Sequence, residues 1–595
     1  MCGISLILRK QADQNDCQAA IERMVQAQAH RGPDGHGTRH LRWGSEELWF
    51  GHNLLSISGT LELSRQPMVS ADGNCGIIFN GEIYNADFLR SQLRLEGFAF
   101  LGDSDTEVLL CWLQHSGRRG LKMLEGMYAF VFWDSRKKLL IVHRDAYGMK
   151  PLFYARNRNY FIIASEPAGI FASGLIPCMP ETSALPYYLK YKFIPPPATA
   201  WKNAYSLQPG ECIEYWENKP MHFRVQLFPE IHFGGISDAI DQAFSAVIPS
   251  GIPFGIAFSG GIDSGLILAW CLKKGLKPTI FSVRFAENSS GYSDTRAVEE
   301  IAEKFGLDIC WVESEDADFR KACSCPAEAG PLVADSAYVL TRKIAESARR
   351  RNLRVLLSGA GADEWFGGYR RHAFFRRWLS IEDKIPDRLL SWALSALKPG
   401  KLRWSGAESG SAEELWQAAV SSSLSTSLRE GAKIPLPAGK AGLLDQMIRW
   451  DQQHYLPGDV LWMTDMAGMA FGIETRFPFL HPSITGYADS IPLSRRMGRG
   501  RKEMLSELFS QHFGRKLAGR SKQGFGISAP DYLSHPETLK ELIAWMDEIS
   551  SKLPDLWNET ALAEFREAAL KNPSAYLQEW MSLGRLAFWL KGFRR

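Results

Sequence analysis

Two rhythms of hydrophobic and polar positions divide this chain. Over the first 215 residues, short apolar runs alternate with turn residues. Ile4–Leu8, Cys75–Phe79, Met127–Trp133, Lys138–His143 and Tyr160–Ala164 are rich in branched and aromatic side chains and predict strands. The spacing in Cys17–Ala29 and Asp105–His115 predicts helices between them. Such a mixture points to an α+β sandwich of antiparallel sheets. Ile194–Pro197 carries three prolines and predicts an irregular crossover, Leu207–Glu211 predicts a turn, and residues 216–235 read as a linker.

From Ile236 the rhythm changes. Strands at Phe254–Phe258, Thr279–Phe285, Ile309–Glu313 and Arg354–Ser358 alternate with helices at Gly265–Lys274, Ser293–Phe305 and Ala337–Arg351. That order predicts an α/β unit with a parallel, doubly wound sheet. Beyond about residue 370 the pattern is mainly helical, with a Gly/Ser-rich surface loop expected at Pro399–Ala412. The expected division is a first domain over 1–215, a linker over 216–235 and a second domain over 236–595.

Composition narrows the function classes. The 595 residues are 45% hydrophobic and 23% charged, which fits folded domains with large cores. Lysine plus arginine is 69 and aspartate plus glutamate 66, so the net charge of +3 gives no reason to expect a nucleic-acid partner. The local basic region, Arg349–Arg351 with Arg354 and Arg370–Arg371 with Arg376–Arg377, reads as a solvated helix face. No apolar run reaches about 18 residues, so no membrane helix is expected. Neither a signal peptide nor a lipidation motif is expected at the ends. Ten cysteines are too few for a disulfide scaffold and fit a reducing cytoplasm. Cys323-Ser324-Cys325 lacks the second Cys/His pair that zinc needs, and Trp450 and Trp462 read as core.

Candidate chemistry begins at Cys2. Once Met1 is removed, its α-amine, with a pKa near 8, stands beside its own thiol and can serve as general base. Alone, Met-Cys-Gly is equally an ordinary strand start. His30-Arg31-Gly32-Pro33-Asp34 is a tight polar loop. Asn80-Gly81-Glu82 follows a strand, where the Asn80 amide and the Gly81 N–H can form an oxyanion hole. Glu82 and Asp105 are anions suited to an ammonium group. Together with Arg144-Asp145, Gly148–Leu152 and Ala164-Ser165-Glu166, these pieces resemble the class II glutamine amidotransferases, with their αββα N-terminal-nucleophile fold. The resemblance implies that Cys2 attacks the amide of glutamine and releases ammonia. It also implies that Asn80 and Gly81 hold the oxyanion, while Ile57, Glu82 and Asp105 bind the substrate.

One position departs from that family. Its pattern Gly-His-x-Arg-Leu-Ser-Ile reads here Gly51-His52-Asn53-Leu54-Leu55-Ser56-Ile57, with Leu54 where an arginine grips the glutamine carboxylate. A charge-assisted hydrogen bond is worth about 1.5–3 kcal/mol, so its loss weakens binding roughly 10- to 150-fold. Arg31, Arg39, Arg42 and Arg65 are the candidates to replace it.

The second domain carries Ser259-Gly260-Gly261-Ile262-Asp263-Ser264 between a strand and a helix. Glycines turn N–H groups inward, a helix N-terminus favours an anion, and Asp263 suits Mg²⁺. No Lys-Ser/Thr follows, so this is not a Walker loop. The hexapeptide resembles the pyrophosphate loop of ATP pyrophosphatases. Ser358–Tyr369, Glu474–Leu480, Lys502–Leu505 and Lys522–Gly526 continue a resemblance to asparagine synthetases over about 236–530. It implies that Ser259, Gly260, Gly261 and Ser264 cradle pyrophosphate, and that Val283, Ser358 and Gly359 contact adenosine. Lys502 would meet phosphates, and Asp263 and Asp363 would hold Mg²⁺. Ala360 stands where the family has a glutamate for aspartate, and His481 where aspartate is usual.

These resemblances imply an ATP-dependent amidotransferase. It would hydrolyse glutamine, adenylate a carboxylate acceptor and release AMP and pyrophosphate, without nucleic acid or membrane, and a homodimer remains open. Aspartate itself, an intramolecular ring closure and a non-catalytic scaffold are the rival readings.

Overall fold

The computed structural model describes residues 2–11, 13–57, 64–216, 219–225, 234–249, 251–284, 292–313, 315, 318–324, 330–380, 411–438, 442–498, 500–520, 533 and 535–592. The readings at Met1, at Cys325, at 399–410 and at Lys522–Gly526 lie outside the described residues.

The N-terminal half is built on two six-stranded sheets, each antiparallel throughout. In the first, Gly3–Arg9 lies between Glu46–Leu54 and Tyr160–Ala164. In the second, Cys75–Ile83 pairs with Gly126–Asp134. Alternation along the strands explains the layers. Ile4, Leu6 and Leu8 face inward with Phe50 and meet Ile78, Val131 and Val142 of the second sheet. Ile7, on the opposite face, meets Ile21 and Met24 of the helix Cys17–Ala27. Phe79, Phe130 and Phe132 cover the outer face of the second sheet with Leu89, Leu93, Leu109 and Leu113 of two helices. The result is the αββα sandwich. Asp16 and Ser104 cap two of these helices through backbone N–H groups. The stretch expected as a linker from residue 216 begins instead with a strand, Lys219–Arg224, on the edge of the second sheet.

The third sheet is parallel, in the order Ile309–Glu313, Thr279–Arg284, Gly255–Ala257, Val355–Leu357 and Glu474–Arg476. Four of its strands coincide with the expected ones. The fifth, Glu474–Arg476, was not expected as a strand, because two of its three residues are charged. Helices Leu461–Met469, Pro536–Lys552 and Leu577–Gly592 bear out the helical character of the C-terminal part. No described helix is long and apolar enough to cross a membrane.

One apolar cluster runs through both halves, joining Tyr188 and Trp201 to Trp416, Trp462 and Trp589. Trp450 and Trp462 are buried in it, as core residues. The basic region is largely the solvated face expected, with Arg350, Arg351, Arg370 and Arg377 exposed, but Arg371 turns inward. Arg371 makes two hydrogen bonds to the buried Asp451, at 2.7 and 3.1 Å, and lies over Tyr369.

Candidate active sites

Cys2 is buried at the start of the first strand. Its backbone N–H donates to Asn80 Oδ1 at 2.8 Å, which turns the amide so that its nitrogen is the other end. That nitrogen, Nδ2, is buried and has no hydrogen-bond partner among the described residues. A buried donor held without a partner is costly unless a ligand uses it. Gly81 follows at φ +152°, and a Cβ there would lie 2.0 Å from the Met127 carbonyl oxygen, so only glycine fits. Burial pushes the Cys2 thiol up, and the Leu55 N–H opposes this. His52 is paired in register with Ile4, but burial drives its pKa down to about 3, so it is no base at neutral pH.

Asp105 opens the helix Asp105–Ser116 and accepts the Ile83 N–H at 3.0 Å. Burial raises its pKa to about 6, although the N–H groups of Ile83 and Thr106 favour the carboxylate. Glu82, at the end of its strand, is likewise pushed up by burial, against the pull of Arg476. Its carboxylate is paired with the Arg476 guanidinium, which comes from the fifth strand of the parallel sheet. Ile57 is half-buried and packs against Leu55 and Met469, so residues of both halves of the chain meet beside it.

The polar loop His30–Asp34 joins the two halves. Arg31 is fully buried; its Nε donates to the Cys2 carbonyl at 3.3 Å, and its Nη1 to Glu166 at 2.7 Å and to Asp465 at 2.9 Å. Asp34 accepts from Ser56 N–H and from Arg354, both at 2.9 Å. Arg144 and Asp145 brace the loop Tyr147–Lys150 from inside, through its carbonyls and N–H groups respectively. Of the four arginines considered as replacements for position 54, Arg31 is bound to two carboxylates and Arg39, Arg42 and Arg65 are exposed.

The second site lies at the carboxyl ends of neighbouring strands, where open α/β sheets bind ligands. Ser259–Ser264 turns from Gly255–Ala257 into the helix Ile262–Lys273, with Gly260 at φ +68° and the Ser259 N–H donating to Ser264 Oγ. Ser358, Gly359 and Ala360 leave the next strand. Lys502 Nζ lies 2.7 Å from Asp263 and 2.5 Å from Asp363. Burial works against the Lys502 charge, but the two carboxylates outweigh it and lift its pKa to about 12. A Cβ on Gly359 would come within 2.6 Å of the Asp263 Cβ, so the two loops touch. A cavity of about 220 Å³ is lined here by Ser259, Asp263, Ser264, Ser358, Gly359 and Asp363. Ala360, Ile344, Val460 and Met463 complete its apolar side. Val283 is buried in its strand and does not line that cavity.

Three features escaped the sequence reading. Glu364 lines the cavity, accepts from Gly361 N–H and Tyr369 OH, and is raised to about 7 by burial. Arg476 and Asp465 reach into the first half from far along the chain, which only the tertiary fold reveals. His481 has a local explanation. Its Nδ1 accepts the Ser483 N–H at 3.2 Å, the helix-capping role an aspartate also fills.

Residues 1–224 match the family description of a glutamine amidotransferase domain, which gives the class of the first half. Residues 235–591 match asparagine synthase, and the chain belongs to that family. It is 29% identical to asparagine synthetase [glutamine-hydrolyzing] 1 of Bacillus subtilis, over 92% of this chain and 90% of the relative. Asparagine synthetase [glutamine-hydrolyzing] 3 of the same organism is 27% identical, with 93% and 90% covered. Amidase chyE of Penicillium rubens is 26% identical, with 84% and 83% covered.

Proposed function

We propose that this protein transfers the amide nitrogen of glutamine to a carboxylic acid activated by ATP. The observation that carries the first half-reaction is the unpartnered Asn80 amide beside the buried Cys2 thiol. With Met1 removed, the Cys2 α-amine takes the thiol proton, and sulfur attacks the side-chain amide carbon of glutamine. Asn80 Nδ2 and the Gly81 N–H receive the oxyanion. The amine returns the proton to the departing ammonia, and water hydrolyses the thioester to glutamate. Glu82 and Asp105 take the substrate ammonium, and Ile57 walls the side chain.

Asp105 sets a pH dependence. A protonated Asp105 cannot grip an ammonium, so kcat/KM for glutamine falls as pH drops through about 6. Below that point Asp105 adds about tenfold per pH unit to the loss already set by protonation of the α-amine below about 8. Synthesis driven by added ammonia, compared at constant free ammonia, does not show this limb. A glutamine profile flat from pH 7 to 5 would remove Asp105 from the site.

In the second half-reaction, the acceptor carboxylate attacks the α-phosphorus of ATP and pyrophosphate leaves. Ammonia then attacks the acyl-adenylate and AMP departs, giving the amide. Asp263 and Asp363 converge on the Lys502 ammonium; Mg²⁺ is held by one or two carboxylates plus phosphate oxygens, so the pair would take this ion once Lys502 turns to the phosphates. When bound, Mg²⁺ offsets phosphate charge. Ser259, Gly260, Gly261 and Ser264 offer N–H and hydroxyl donors to pyrophosphate, Lys502 adds its charge, and Ser358 and Gly359 are assigned to adenosine, with Val283 behind the cavity rather than in its wall. The domain seam built by Arg31, Asp34 and Arg476 shields ammonia from protonation in water. No two of the described cysteines are joined in a disulfide, which suits a cytoplasmic enzyme.

The acceptor is read from Ala360. It lies in the cavity with Ile344, Val460 and Met463 and supplies no carboxylate at this position, while Asp335 and Glu364 line the same cavity. We read the loss of the carboxylate at position 360 as favouring an acid with apolar surface over aspartate. Ala360→Glu is expected to raise aspartate-dependent AMP formation at least about tenfold, the value of one charge-assisted hydrogen bond. An unmodified enzyme already saturated by aspartate, with no gain in the variant, would contradict the assignment.

A further inference from the structure

The glutamine pocket lacks an arginine on its own domain, and the structure offers one from the other. Arg476 is buried at the seam. Its Nη2 pairs with Glu82, its Nε donates to Glu474 at 2.7 Å, and its Nη1 to the Val247 carbonyl at 3.0 Å. Of its five N–H groups, three have these partners among the described residues. The segment leading to it packs on the loop that lost the arginine. Met469 sits against Leu55, and a Cβ on Gly472 would lie 3.6 Å from both Leu55 and Pro33. Glu82, the partner of Arg476, directly follows Gly81, and Asp105 accepts the N–H of the next residue, Ile83, at 3.0 Å, so the guanidinium lies beside the two carboxylates assigned to the ammonium.

Resting on the reading of Cys2 as a glutaminase nucleophile, we propose that Arg476 binds the α-carboxylate of glutamine in place of an arginine at position 54. An α-amino acid presents opposite charges two bonds apart. Glu82 and Asp105 take the ammonium, and the adjacent guanidinium takes the carboxylate through its remaining N–H groups. Glu474 keeps Arg476 oriented when Glu82 turns to substrate. The glutamine site is then complete only when the synthetase domain is docked. The Arg476 carbonyl also accepts the Ser358 N–H at 3.0 Å, so the same residue is tied to a loop lining the nucleotide cavity. Leu54 therefore does not weaken glutamine binding by the full factor that its lost charge implies.

The test uses the full chain and ammonia release from L-glutamine and from its α-carboxamide, which lacks the negative charge. Arg476→Ala is expected to raise KM for glutamine roughly 10- to 150-fold, with kcat changed less than about threefold. KM for the α-carboxamide, already high in the unmodified enzyme, is expected to stay the same. Adding Leu54→Arg to Arg476→Ala returns the charge from within the first domain and recovers at least about tenfold in KM. An unchanged KM for glutamine in Arg476→Ala overturns the assignment. Equal losses for both compounds, without recovery by Leu54→Arg, also overturn it and leave Arg476 as a brace between domains. An unmodified enzyme that releases no ammonia from glutamine overturns the reading of Cys2, and this assignment with it.

Discussion

Cys2→Ala lowers glutamine-driven amide formation by about 10⁴-fold or more and leaves ammonia-driven formation running. The size follows from the chemistry, since the variant keeps the oxyanion donors but has no atom to form the thioester. The selectivity follows from the architecture. Among the described residues the Cys2 carbonyl is tied to the synthetase half by way of Arg31 and Asp465, and alanine keeps that carbonyl. Alanine is also smaller than cysteine at a buried site, so the fold has nothing to displace. The measurement is amide product and AMP with each nitrogen donor in turn. Loss of both activities would contradict two separable sites joined by a shielded route. Intact mass of the unmodified protein accompanies it, because a retained Met1 leaves Cys2 without the proposed base.

Asp263→Asn gives the complementary result, a fall of about 10²- to 10³-fold in pyrophosphate release whichever nitrogen donor is used. Several kilocalories of phosphate-charge stabilisation rest on the metal position that Asp263 shares with Asp363. The variant also alters the Lys502 environment. The two carboxylates hold Lys502 charged against burial, and losing one moves its pKa down. Asparagine preserves size at this tightly packed turn, where Gly359 leaves no room for a larger neighbour. Pyrophosphate release within threefold of the unmodified rate would remove Asp263 from the nucleotide site.

The sequence made the architecture legible wherever periodicity ran long enough. The antiparallel sandwich follows from the apolar runs Ile4–Leu8, Cys75–Phe79 and Met127–Trp133, its αββα order from the family resemblance, and the parallel sheet from strands interleaved with helices. Short charged strands were not legible. Glu474–Arg476 carries no apolar rhythm, because its side chains serve the seam between domains rather than a core. Lys219–Arg224 was read as linker for a similar reason, since an edge strand needs little hydrophobic patterning.

At the sites, local motifs identified groups that lie close in sequence, such as Asn80-Gly81 and Ser259–Ser264. Convergence from distant segments was not visible. Lys502 meets Asp263 across 239 residues, and Arg31 meets Asp465 across 434. The roles of the His30–Asp34 loop shifted most. A motif read as part of one catalytic unit proves to hold the second domain, through Arg31 to Asp465 and Asp34 to Arg354. The departure at His481 lost its functional weight, since its ring caps a helix. That at Ala360 kept its weight, because it lies in the wall of the nucleotide cavity, and that at Leu54 is a buried apolar side chain where the family has an arginine.

The most direct measurement follows nitrogen and phosphate together. Purified full-length protein is supplied with amide-¹⁵N glutamine, Mg-ATP and a panel of carboxylic acids that includes aspartate and acids with larger apolar groups. The account predicts ¹⁵N in the amide of at least one apolar acid, with AMP, pyrophosphate and glutamate formed in equal amounts, and little product from aspartate. Glutamate release with no ¹⁵N in any acid and no AMP, or ADP in place of AMP, would contradict it.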